Sequence, residues 1–274
     1  MPVIAMTREM GSRGREVAQR LAKEIGLTLV VHELIEHDLA EHLQVPASAV
    51  YHRFEGGATL RERWQIPSGR LARYTAKEIL ELAQKGNVLI RGWGACVLLR
   101  DVPHVVRVRV CAPMELREQT VMERHAKDDG ASRQEIERND AAHKRTLQAA
   151  FGVDRENSLL YDLVLNTERL SVETCAKLVR ELVESAEFRE TDASRAILGD
   201  KILEAHIRVK LGERFIAGMG VSGIEATASG GVVVLKGIAI HTTLAAEAGK
   251  IVGAIPGVRG VDNRMQIVRR PRGL

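Results

Sequence analysis

Short runs of β-branched and aliphatic residues recur through the first two thirds of the chain: PVIAM at 2–6, LTLVV at 27–31, NVLIRGWG at 87–94 and HVVRVRVCA at 104–112. Each is bounded by turn residues and read as a strand. Between them lie stretches of helical spacing. In the first, Val17, Ala18, Leu21, Ala22 and Ile25 share one face, and Gly26 stops it. Helical patterns return at 33–43, Leu71–Gln84, Met114–Lys127 and Arg133–Ala150, the last two separated by DDGAS. Asp162–Asn166 reads as one more strand, and Ser171–Glu187 as a helix opened by Ser171 with Thr174 in the third place. Strands that alternate with helices cannot pair through tight hairpins, so they pair in parallel, and the helices cover both faces of the sheet. This alternation predicts an α/β domain over 1–187 with a three-layer arrangement. Residues 45–68, with glycines, prolines and scattered charges, read as an insertion or mobile loop.

The pattern changes at FRETDASRA, 188–196, a polar stretch read as a linker. Beyond it the spacing predicts a helix near 197–212, strands near 222–228 and 231–240, a helix near 242–254 and a last strand VDNRMQIV. The order αββαβ makes a second, small α+β domain over 197–270, with Gly230-Gly231 as its hairpin turn. Val232 and Val234 alternate with Val233 and Leu235, so that strand is expected to be apolar on both faces. Val258, Val261 and Met265 are expected to supply core to the returning strand. A chain of 274 residues accommodates two such cores.

Charge narrows the partners. The 40 Lys and Arg against 36 Asp and Glu leave a net charge of only +4, and aromatic residues are 3% of the chain, so no nucleic-acid partner is expected. Cys96, Cys111 and Cys175 are far apart and outside any Cys/His cluster, which predicts a reduced, cytoplasmic protein without structural zinc. No signal-peptide core opens the chain and no apolar run reaches membrane-spanning length. In HELIEH, His32 and His37 lie about 140° apart around a helix, so no metal site is expected there. His241, at the head of the last helix, reads as a capping or surface residue, and RRPRG at the C-terminus as a solvated tail.

A strand followed by a glycine turn and a helix N-terminus is an anion site, because unpaired backbone N–H groups and the helix dipole both favour phosphate. Here the turn is Gly11-Ser12-Arg13-Gly14-Arg15-Glu16. It departs from GxxxxGK followed by Ser or Thr: lysine is absent, and Glu16 stands where a magnesium-binding hydroxyl is expected. Short glycine turns are common, so on this motif alone a strand-helix turn without ligand is the better reading.

TREMGSRGREVAQRLAKEIG, HELI, NVLIRGWGACVLLRD and FGVDRENSLLYDLVLNTERLSVE, in this order over roughly 1–185, resemble the cytidylate kinase-like family. The resemblance implies a P-loop fold of the nucleoside monophosphate kinase type, a monophosphate-binding insertion, and an arginine-bearing lid. It implies ATP and Mg2+ as cofactors and a nucleotide substrate, with Gly11, Ser12, Arg13, Gly14, Arg15 and Glu16 around the donor phosphates and Arg15 as the replacement cation. Arg13, Val31 and Trp93 depart from the family pattern, standing where a Gly, an Asp and an Arg are expected. In the lid, Arg138 and Arg145 are seven residues apart on one helical face and become the catalytic candidates beside Arg15. Arg117 and Arg124 repeat that spacing as secondary candidates. On spacing alone the favoured reading is a solvated helix in which Glu135, Glu137 and Asp140 pair with these cations. Asp162 is placed either to orient a lid arginine or nucleotide, or to cap a turn.

DKILEAHIRVKL, GGVVVLKGIA and HTTLAAEAGKIVGAIPGVRGVDNRMQIV, over roughly 198–270, resemble the BON domain. That resemblance implies a module that binds a protein partner or a phospholipid surface. The whole chain is then expected to be a phosphotransferase that converts ATP and CMP, or a related monophosphate, to ADP and the diphosphate. Its alternatives are a catalytically inactive nucleotide or phospholigand sensor coupled to the BON module, and a scaffold that binds no nucleotide.

Overall fold

The computed structural model describes residues 1–55, 67–92, 94–125, 129–215 and 220–268, without the side chains of 32–36, 53–55, 68, 125 and 129. Trp93, RRPRG and most of the HELIEH side chains therefore lie outside the described residues. The chain divides into two compact units, Met1–Thr191 and Asp192–Leu274.

The first unit runs β1 (Val3–Arg8), α1 (Gly14–Ile25), β2 (Thr28–Val30), α2 (His32–Leu43), α3 (Ala47–Glu55), α4 (Ser68–Lys85), β3 (Val88–Arg91), α5 (Ala95–Leu98), β4 (Val105–Cys111), α6 (Met114–His125), α7 (Asp129–Phe151), β5 (Leu163–Asn166) and α8 (Val172–Glu184). Its five strands form one parallel sheet in the order β2-β3-β1-β4-β5. On one face Ile4, Met6, Val106, Val108 and Val110 meet Val17, Ala18 and Leu21 of α1 and Cys175, Ala176 and Val179 of α8. Leu21 is fully buried there, which contributes about 1.5–3 kcal/mol. The opposite face, with Ala5 and Ile90 fully buried, is covered by α4 and α5. The three-layer α/β arrangement is the one that alternation demands.

Local differences have local causes. Part of the expected loop at 45–68 is helical, as α3, with Ala49 and Val50 buried. Asp-Gly-Ala-Ser at 129–132 does not separate two helices but forms the first turn of α7, with Ser132 fully buried. Ser171 does cap α8, its Oγ accepting Thr174 N–H at 3.0 Å. Val31 precedes α2 without a side-chain cap.

The second unit runs α9 (Asp192–Arg214), β6 (Val221–Ser229), β7 (Val232–Ala239), α10 (Thr242–Gly253), β8 (Gly260–Asn263) and β9 (Gln266–Ile267). The end of the polar stretch expected as linker is thus the start of a 23-residue helix. β6 and β7 pair antiparallel, and β8 and β9 both pair parallel to β7. The returning strand is broken at Arg264-Met265, where Asn263 Oδ1 accepts Met265 N–H at 3.2 Å. Val233 and Leu235 are fully buried, but Val232 on the other side of β7 is 49% exposed, so the helices cover one face of this sheet and not both. Gly230 and Gly231 have φ of 56° and 81°, the two positive values that a two-residue hairpin turn requires. Their N–H groups both donate to the Asp200 carboxylate of α9, at 2.9 and 3.2 Å. One turn along α9, buried Glu204 accepts Ala228 N–H at 3.0 Å.

These contacts tie helix to hairpin within the second unit. A 192–274 fragment is expected to unfold cooperatively in urea, and Asp200→Ala to lower its stability by roughly 1–2 kcal/mol. A wild-type fragment without a cooperative transition would show that these ties do not suffice.

Candidate functional site

The glycine turn joins β1 to α1 at the C-terminal edge of the parallel sheet, where β1 hydrogen-bonds β4: Glu9 N–H donates to the Val110 carbonyl at 3.0 Å. Connections leave these two strands in opposite directions, the place where α/β sheets hold ligands. Arg13 precedes α1 with φ 57° and ψ 11°, a left-handed conformation, and no side chain caps the helix. The first-turn N–H groups are left for another acceptor, and they carry the positive end of the helix dipole.

Ser12 is fully buried, its Oγ donating to the Glu9 carbonyl at 2.8 Å with the Val110 carbonyl 3.2 Å away. Thr167 Oγ1 donates to the Ser12 carbonyl at 2.8 Å. The hydroxyl expected among the phosphate ligands thus faces inward and pins the turn. Gly11 has φ 79°, and a Cβ there would lie 2.4 Å from the Arg117 carbonyl of α6, so the turn and α6 are in direct backbone contact. Arg13 and Arg15 are exposed and form no ion pair with the described residues. Glu16 is ion-paired with Arg124 of α6.

Counting back from Gly14, the first glycine of the GxxxxGK spacing falls on Glu9. Its carboxylate is the first member of a buried polar cluster. Oε1 accepts from Arg109 Nη2 at 2.7 Å and Oε2 from Ala112 N–H at 3.3 Å, with Arg117 Nη1 at 3.8 Å. Arg117 Nε donates to the Met10 carbonyl at 2.7 Å, while its Nη atoms reach Asp140 of α7 at 2.9 and 3.0 Å. Arg155 Nη2 reaches the same Asp140 at 2.9 Å. The Tyr161 hydroxyl donates to the Arg155 carbonyl at 2.7 Å, and burial pushes its pKa up to about 12, which keeps it a donor. Burial alone would raise the Asp140 pKa, but the Arg117 hydrogen bond and the Arg155 charge outweigh it and hold the carboxyl below its ordinary value.

Arg138 and Arg145 are not drawn into this cluster. The α7 face turned to the glycine turn is that of Asp140, and at 100° per residue Arg138 and Arg145 lie about 160° and 140° around the helix from it. Both are exposed and make no ion pair with the described residues. Arg117 and Arg124, the secondary candidates, both touch the turn, Arg117 at Met10 and Gly11 and Arg124 at Glu16. Asp162 accepts from Arg107 N–H of β4 at 2.8 Å, from Nε at 3.1 Å and from Nη2 at 2.5 Å, and so holds a strand arginine and not one of α7. Sequence reading missed Glu9, Arg109 and Arg155. The available signal was two arginines alternating with valines in a strand otherwise apolar enough to be buried, VVRVRVC.

Among the described residues no group of three or more His, Cys, Asp or Glu side chains is placed to hold a metal, and no helix is long and apolar enough to cross a membrane.

Two substitutions test this geometry. Gly11→Ala is expected to lower the melting temperature by several degrees and to weaken nucleotide binding, because the added Cβ meets backbone and not a movable side chain. Asp140→Asn should cost about 3 kcal/mol at neutral pH, by leaving two buried guanidiniums short of charge. The folded-state pKa of Asp140 is lowered, so its contribution is present above the ordinary aspartate value and lost as pH falls through the folded one. The difference between wild type and Asp140→Asn, followed by urea unfolding, should therefore shrink only below about pH 4.

Residues 3–169 match the sequence profile of the cytidylate kinase-like family, and residues 199–269 match the BON domain. A cytidylate kinase of Staphylothermus marinus is 30% identical over 108 residues, an alignment that spans 39% of this chain and 60% of that one. A cytidylate kinase of Methanopyrus kandleri is 25% identical over 190 residues, spanning 66% of this chain and 92% of that one. In fold, an uncharacterized protein from Eubacterium ventriosum superposes with a TM-score of 0.55 at 20% identity, covering 68% of this chain and 99% of its own. The profile match covers well over half of the chain, and it falls on the parallel sheet and the glycine turn: the protein belongs to the cytidylate kinase-like family and carries a C-terminal BON domain.

Proposed function

We propose that the first unit transfers a phosphoryl group from Mg·ATP to CMP or a related nucleoside monophosphate. The observation that carries this reading is the uncapped N-terminus of α1 after a glycine turn, flanked by Arg13 and Arg15 that no described carboxylate neutralises. Backbone N–H groups of Gly14, Arg15 and Glu16 would take the donor's β-phosphate, with Arg15 in the place of the usual lysine. A guanidinium is always charged and can bridge two phosphate oxygens, so it stabilises charge on the transferring group without needing lysine's point-charge geometry. Arg138 and Arg145 point away from the turn on α7 and make no ion pair with the described residues, so they are not assigned to the donor phosphates. Magnesium enters as part of the substrate, bound by phosphate oxygens, since Glu16 in the hydroxyl's place is already engaged by Arg124. The BON unit is read as the module that binds a protein partner or a phospholipid surface.

A second reading is favoured by that same engagement. Glu16 is paired with Arg124, Glu9 with Arg109 and Arg117, and Arg117 with Asp140, which suits a domain that binds a phosphorylated ligand without turnover and reports through the BON unit.

The full-length protein incubated with Mg·ATP and each nucleoside monophosphate in turn separates the two. ADP formation is expected with CMP or dCMP, reduced roughly tenfold or more in Arg15→Ala, a loss of the size that removing one transition-state charge contact produces. No ADP above background across the panel would sink the transferase reading, and saturable nucleotide binding without ADP would select the second.

A further inference from the structure

The cluster beneath the glycine turn carries an unbalanced charge. Arg109, Arg117 and Arg155 bring three guanidiniums; Glu9 and Asp140 bring two carboxylates. The arginine side chains are 14%, 6% and 9% exposed and the carboxylates 12% and 23%, so water does little to screen the excess. Asp154 and Glu156 flank Arg155 in sequence but are exposed, and Asp154 Oδ1 is spent on Glu156 N–H at 3.1 Å.

The imbalance has a location. Arg155 gives Nη2 to Asp140, but its Nε–H is buried and has no acceptor among the described residues. An orphaned donor on a charged, nine-tenths buried group is rare in folded proteins, because the lost solvation is not recovered. Arg109, whose Nη1 lies 3.4 Å from the Arg155 carbonyl, stands beside it with its aromatic neighbour Tyr161. One oxyanion would supply the missing charge and the missing acceptor together. The nitrogens of a guanidinium fork match two oxygens of a tetrahedral phosphate, which a lysine cannot imitate.

We propose that Arg155, with Arg109 beside it, is a binding position for one phosphate oxyanion, entered from the side of Asp140, the most exposed member of the cluster. The inference rests on the phosphate-handling reading of the glycine turn, which it extends to a second phosphate position on the far side of Arg117. Free inorganic phosphate and the phosphate of a nucleotide present the same chemistry.

Calorimetric titrations of the full-length protein with inorganic phosphate, CMP and Mg·ATP, at constant ionic strength in chloride, test it. Arg155→Lys keeps a cation for Asp140 but removes the fork. It is expected to weaken CMP or inorganic phosphate roughly tenfold and to change Mg·ATP less than about twofold. Loss for both CMP and phosphate supports a site that reads phosphate alone; loss for CMP only supports one that reads phosphate on a nucleoside. Asp140→Asn gives a readout of opposite sign: it raises the excess positive charge by one, so a cooperatively folded variant should bind the same anion several-fold more tightly. Arg155→Lys binding as well as wild type, or weaker binding by folded Asp140→Asn, overturns the assignment. Wild-type protein that binds Mg·ATP but neither CMP nor phosphate overturns it and leaves the donor site standing, and wild-type protein that binds none of the three overturns both.

Discussion

Arg117 is the residue on which the geometry of the site depends. Its Nε fixes the Met10 carbonyl and its Nη atoms hold Asp140, while its own carbonyl lies against Gly11. One side chain thereby sets the distance between the glycine turn, α6 and α7. A buried guanidinium holds such a position only while its donors are filled, because desolvation of an unpaired charge exceeds any single contact it makes. That is why Asp140 and Glu9 accompany it, and why Arg109 and Arg155 accompany them in turn. The pairing propagates until Arg155 Nε, which finds no acceptor among the described residues.

This arrangement changes the chemistry of the loop. In the usual lysine-bearing loop the small first residue leaves space and the lysine brings the cation. Here Glu9 occupies the first place, its carboxylate held by Arg109, Ala112 N–H and Arg117. The positive end of α1 is therefore not cancelled by the acidic residue beside it in sequence. Glu16, also acidic, is neutralised by Arg124. Arg13 and Arg15 remain as the exposed charges at the helix N-terminus, so the field there favours an anion despite two glutamates within the motif.

The second unit uses carboxylates differently. Asp200 and Glu204, one turn apart on α9, accept backbone N–H groups from the hairpin of β6 and β7. A tight turn with two glycines exposes donors that strand pairing leaves unused, and Asp200 takes both. Glu204 is buried but paired with Lys201 and Arg208 at 3.5 and 3.3 Å, which meets the cost of its burial. The hairpin register then places Val233 and Leu235 on the helices and leaves Val232 outside.

The sequence by itself determined the order of elements, the parallel sheet, the position of the glycine turn and the presence of a second α+β unit. These follow from period, β-branching and turn residues, which act within a few neighbours along the chain. Only the tertiary structure decided which of the many arginines meet the glycine turn. The family resemblance favoured Arg138 and Arg145, but spacing fixes only which residues share a helix face, and packing fixes which face meets the turn. Asp140 meets it, so those two point away, while Glu9, Arg109, Arg117 and Arg155, spread across 147 positions of sequence, converge. Ion pairs between side chains so far apart leave no period in the sequence, since their energy depends on distance in space and on burial, and both exist only once the sheet has formed.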